Sequence, residues 1–109
     1  MFDVRPGNHI EITQGDTGAL IYMPESDRAF SENDFAVFTA KTMTGRQLVE
    51  IALQPEVDGS VRIELQHEVT KEWPEGRHEW QIRYHMIEES GEKVSTPMGI
   101  GLLDVLRAV

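Results

Sequence analysis

Residues 78–87 hold the longest clear alternation in the chain. Trp80, Ile82, Tyr84 and Met86 fall on one side, with Glu79, Gln81, Arg83 and His85 on the other. Successive side chains of a strand point to opposite faces, so this pattern buries one face and wets the other. A helix of period 3.6 would scatter the same four apolar residues around its circumference. The segment therefore commits this part of the chain to β-structure.

Shorter runs obey the same rule. In residues 8–13, Ile10 and Ile12 alternate with His9, Glu11 and Thr13, and residues 19–23 form a mostly apolar second strand ended by Pro24. Between them lies Gln14-Gly15-Asp16-Thr17-Gly18, read as a hairpin corner in which Gly15 or Gly18 takes a positive φ. Residues 25–34 form a polar loop of turn formers, with Phe30 as an anchor into the core. Phe35–Thr42 is a third strand whose inward set is either Phe35 and Val37 or Ala36, Phe38 and Ala40. Residues 47–54 place Val49, Ile51 and Leu53 on one face, and Asp58-Gly59 predicts a hairpin to Val61, Ile63 and Leu65. Residues 67–73 are the one helical stretch, with Val69 and Trp73 on one face, bounded by Pro74 and Gly76. Beyond residue 87 come a turn at 88–92, a short strand at 93–96, a break at 97–99 and a last strand at 100–106.

These segments define the expected fold class: an all-β antiparallel sandwich or barrel of seven to eight strands with one short helical turn. No strand–helix alternation suggests a parallel α/β sheet. No linker or repeat interrupts the pattern, so residues 1–109 are expected to form a single domain.

Charge narrows the partners. The net charge is −9, from 19 acidic and 10 basic residues. Phosphate backbones and anionic lipid surfaces repel such a chain, so neither nucleic acid nor membrane is an expected partner. Arg28, Lys41, Arg46, Arg62, Lys71, Arg77, Arg83 and Lys93 are spread along the sequence rather than clustered. There is no cysteine, which removes disulfides, thiolate metal sites and cysteine nucleophiles. The N-terminal residues carry no signal-peptide pattern, and synthesis in the cytoplasm is expected.

Candidate chemistry is sparse. His78 and His85 lie an odd number of residues apart on one predicted strand, so they face opposite ways. His9 belongs to a wet strand face and His67 to a strand end, and all four histidines read as surface residues on solvated faces. The acidic neighbours Glu88-Glu89, Glu56 with Asp58, and Glu72 with Glu75 read as solvated loops, not as a glycosidase pair. Asp16-Thr17-Gly18 spells the aspartic-protease triplet, in which two aspartates share a proton. Here Thr13-Gln14-Gly15 precede it in place of an apolar strand, so Asp16 is assigned to the turn. No phosphate-cradling loop and no nucleophile elbow occurs. No catalytic, cofactor-binding or metal residue is singled out, no cofactor is expected, and the chain is expected not to be an enzyme. Trp80 belongs to the apolar face. Trp73 caps one end of the sandwich or, with Tyr22, stacks on a sugar ring, which leaves a carbohydrate-binding sandwich as the alternative.

Five motifs in order carry a resemblance that spans nearly the whole chain. They are Ile10-x-Ile12-x-Gln14-Gly15-Asp16-Thr17, then Asn33-Asp34 before Phe35–Thr42, then Val61-Arg62-Ile63-Glu64-Leu65 after Asp58-Gly59. A Thr70-x-x-Trp73-Pro74-x-Gly76 corner then leads to Trp80-x-Ile82-x-Tyr84, and Gly91-x-x-Val94-x-Thr96 leads to the last strand. In this the chain resembles the small immunoglobulin-like β-sandwich proteins of phage and prophage tails and baseplates, and is similar to the N-terminal module of baseplate upper proteins. It differs at Trp80, where such proteins often carry tyrosine. The resemblance implies a non-enzymatic structural module of a tail, baseplate or fibre, located in the virion or prophage particle. Its implied partners are neighbouring tail proteins and further copies of itself.

Overall fold

The computed structural model of the chain describes residues 2–24, 30, 33–87 and 90–108. It is all-β. Eight strands and one short helix occur among these residues: β1 (Asp3–Arg5), β2 (His9–Thr13), β3 (Gly18–Tyr22), β4 (Phe35–Thr42), β5 (Gln47–Leu53), β6 (Val61–Leu65), α1 (His67–Thr70), β7 (Gly76–Ile87) and β8 (Lys93–Leu106). Six strands form one sheet in the order β1-β2-β8-β7-β4-β5, and β3 with β6 form a second.

The two sheets contribute to one buried cluster. Ile10, Ile12, Phe38, Trp80, Ile82, Tyr84, Leu103 and Val105 enter it from the large sheet, and Leu20, Val61, Ile63 and Leu65 from the small one. The inward set of β4 is Ala36, Phe38 and Ala40, which settles its parity. Each fully buried aliphatic or aromatic side chain here contributes about 1.5–3 kcal/mol relative to exposure. Phe30 is buried as expected, its ring centroid 5.2 Å from that of Tyr84.

Four expectations are corrected. First, Gln14–Gly18 is not a hairpin corner: β2 and β3 do not pair but lie in different sheets. The chain crosses between layers at this turn. Gly15 has φ +86, and the turn is held by Asp16 N–H on the Thr13 carbonyl at 3.0 Å and Thr13 N–H on Asp16 Oδ2 at 3.2 Å. Second, Asp58-Gly59 closes no hairpin either, since β5 and β6 also lie in different sheets. It shapes a tight loop in which Gly59 N–H meets the Glu56 carbonyl and Asp58 Oδ1 accepts from Ser60. A sandwich needs sheet-to-sheet crossings as well as hairpins, and both use the same turn residues.

Third, the sheet is not wholly antiparallel. β2 runs parallel to β8, with Ile10 opposite Leu103 and Thr13 opposite Leu106. Parallel neighbours need a long connection, which here is the body of the chain. Fourth, the expected break at 97–99 is absent: β8 is continuous, and its register slips between Arg83↔Pro97 and Ile82↔Gly99 so that position 98 has no partner. Pro97 has no N–H to donate, and a bulge is where a ladder accommodates that lack.

Candidate functional site

Each histidine has a structural partner. His9 Nε2 is 2.6 Å from Asp104 Oδ2, and Arg77 grips both oxygens of the same carboxylate at 2.9 and 3.1 Å. These contacts stitch β2, β8 and β7 together on the outward face of the large sheet. The Arg77 guanidinium, then burial opposed by the His9 bond, set the Asp104 carboxyl, with the balance holding it down at about 2. His67 Nδ1 lies 2.7 Å from the Gly15 carbonyl, and His85 stacks on Phe35 with ring centroids 4.6 Å apart. His78 departs from the surface reading: it is buried, with Nε2 2.6 Å from the Pro74 carbonyl. It shares parity with Trp80, and the apolar face of β7 extends down to it. Among the described residues, no group of three or more His, Asp or Glu is placed to hold a metal ion.

Asp16 sits in the crossing turn, and its carbonyl accepts from Thr70 Oγ1 at 2.7 Å. Gln14 reaches the Trp73 carbonyl at 2.8 Å, so the turn and the α1 corner brace each other. Trp73 is only 2% exposed, so its ring presents no face on which a sugar could stack. Tyr22 is half-buried with its ring edge-on to Trp80. Glu72 and Glu75 are exposed, and Glu88-Glu89 lies outside the described residues.

The features that stand out are open strand edges. β3 pairs only with β6, so its other edge has no ladder among the described residues. Its five residues, Gly18 to Tyr22, carry no charge, and neither does Met23 beyond them. Ile21 is 72% exposed and Met23 54%. Exposed edges of soluble proteins are usually blunted by charge, proline or a bulge, and β3 has none along its length. Its neighbour β6 is neutralised locally, with Arg62 bonded to Glu64 at 3.0 Å.

Beside this edge the two sheets part. An apolar slot of about 90 Å³ opens there, lined by Val4, Ile10, Leu20, Ile21, Tyr22 and Trp80 among others. Val4, on the facing strand β1, is 63% exposed. The slot connects an exposed apolar rim to residues of the core, and its size suits one aliphatic side chain. Hydrophobic periodicity alone missed this site, because which strand ends a sheet is a property of topology. The one local signal was the uncharged run from Gly18 to Met23.

Neither the protein-family models nor the curated proteins include a match to this chain. Among the described residues, no helix is long and apolar enough to cross a membrane.

Proposed function

We propose that this chain is a non-enzymatic assembly module, an immunoglobulin-like sandwich that joins neighbouring proteins of a phage or prophage tail, baseplate or fibre. The observation that carries the reading is the uncharged, open edge of β3 beside its apolar slot. A partner strand laid along β3 gains main-chain hydrogen bonds, and an aliphatic side chain of that strand fills the slot. Burying one such side chain contributes about 1.5–3 kcal/mol. The immunoglobulin-like part rests on strand order. β4, β7 and β8 lie together as strands C, F and G do, and β3 with β6 as B and E do, with β5 added beside C. The tail and baseplate part rests on the ordered motifs from Ile10 to Thr96.

The test is co-expression with the proteins encoded beside it, read by native mass spectrometry. A defined complex is expected, and Ile21→Lys is expected to abolish it while leaving the fold intact, because Ile21 points to solvent. Failure to bind any of those proteins, or a complex indifferent to Ile21→Lys, would overturn the proposal.

A further inference from the structure

The large sheet ends in a second open edge, and its sequence reads as a self-complementary one. β5 is the last strand of the sheet, so one side of its backbone has no ladder partner among the described residues. Glu50 is its single charged residue. Glu50 and Ala52 are exposed on the outward face, while Val49, Ile51 and Leu53 are half-buried and pack against the core from the inward side.

We infer that β5 pairs antiparallel with β5 of a second copy of this chain, about a two-fold axis at Ile51. The inference builds on the reading of open edges as assembly surfaces but concerns a different edge and a different partner.

Three constraints select the register. Residues opposite each other in an antiparallel pair share a face, so the numbers of paired residues must sum to an even value if both cores are to stay inside. Pairing Glu50 with Glu50 sets two carboxylates against each other and is excluded. The regular part of β5 is residues 49–53, because the ladder with β4 slips between Ala40↔Val49 and Lys41↔Gln47 and leaves position 48 unpaired. A two-fold axis at Ile51 centres on that regular part. It sets Ile51 against Ile51, Val49 against Leu53, and Glu50 against Ala52. The half-buried apolar row of each copy then continues into the other.

The register needs only residues 49–53, since β5 ends at Leu53 and the slip at position 48 breaks the alternation before Gln47. Pro55, two residues past the strand, has no N–H and stops the ladder from running on. A chain of net charge −9 repels its copies over most of its surface, so a strand with one carboxylate is where two of them can meet. The product is an isologous dimer with a continuous twelve-stranded sheet, closed by its two-fold axis. The β3 edge lies in the other sheet and takes no part in this pairing.

Sedimentation velocity of the full chain over a concentration series tests this. A dimer is expected. Ala52→Glu places a carboxylate opposite Glu50 twice and is expected to weaken the dimer roughly tenfold. Ala52→Lys is expected to tighten it by a similar factor. The double variant Glu50→Lys with Ala52→Glu is expected to restore it. Both positions are exposed, so none of these changes should disturb folding, which circular dichroism checks. A monomer at all concentrations, or a dimer that responds alike to Ala52→Glu and Ala52→Lys, overturns the inference. A dimer lost in Ile21→Lys but not in Ala52→Glu overturns it too, by moving self-association to β3. A monomer that still binds a tail protein through β3 overturns only the dimer and leaves the assembly reading standing.

Discussion

Trp80 Nε1 donates a 2.9 Å hydrogen bond to the carbonyl of Asn8, across the face of Gly101. Asn8 is the one described non-glycine residue at positive φ, at 61°. The bond ties the largest ring of β7 to the turn that leads into β2. Gly101 makes it possible, because a Cβ there would overlap both the Asn8 oxygen and the indole nitrogen.

Gly101→Ala is therefore expected to lower stability by about 1–3 kcal/mol through forced backbone displacement. Trp80→Phe keeps an aromatic ring but loses the indole N–H and part of the buried volume, and is expected to cost about 2–4 kcal/mol. Urea denaturation followed by fluorescence of the remaining tryptophan measures the second. Wild-type stability in Gly101→Ala would show that the Asn8 turn yields freely.

Asp104 should govern acid stability. Its folded carboxyl lies near 2, below the ordinary 3.8, chiefly because Arg77 bonds its charged form. The native state thus favours the ionised group. That contribution is whole above about pH 4 and is lost as pH falls from 3.8 towards 2. Asp104→Asn is expected to be less stable by about 1 kcal/mol at neutral pH. The gap to wild type should close as acid is added. A gap that stays constant from pH 7 down to pH 2 would mean that the Arg77 and His9 contacts carry no net stability.

Tyr84 should govern the alkaline limb. Its hydroxyl donates at 2.6 Å to the Gly59 carbonyl deep in the core. Burial first, then the nearby Tyr22 and Asp58, push its ionisation up from 10 to about 12. The neutral phenol is the native form, so its contribution is full below pH 10 and lost as pH rises towards 12. Tyr84→Phe is expected to cost about 1–2 kcal/mol at neutral pH by leaving the Gly59 carbonyl unpaired. Tyrosinate absorbance should show one residue ionising only as the fold is lost. An early, reversible titration of both tyrosines near pH 10 would contradict the buried bond.

Strand positions and their inward faces were legible in the sequence, and the reason is physical. Trp80, Ile82, Tyr84 and Met86 could be assigned to the core because a two-residue period reports burial directly. Strand partnership was not legible. Gly15-Asp16 and Asp58-Gly59 supply the bends that hairpins need, but the next strand left for the other sheet in both cases. Local chemistry sets the bend, and burial of the following apolar face decides which layer receives it. Histidine is ambiguous in an apolar row, so the residue type of His78 suggests a wet position while its parity with Trp80 places it inside, where the structure has it. The open edges of β3 and β5 follow from partnership, so they emerged only with the topology.

The parallel pairing of β2 with β8 sets how the molecule would carry a mechanical load. Residues Ile10 to Thr13 lie alongside Leu103 to Leu106 and point the same way. A pull that separates position 9 from position 106 draws the two strands past each other. Their hydrogen bonds are then loaded together in shear, whereas an antiparallel hairpin pulled at its open ends unzips one bond at a time. Four consecutive register pairs share that load. Tension that enters at the N-terminal end opens the short antiparallel β1–β2 pair first and then meets this sheared pair, at the place where the first long strand meets the last.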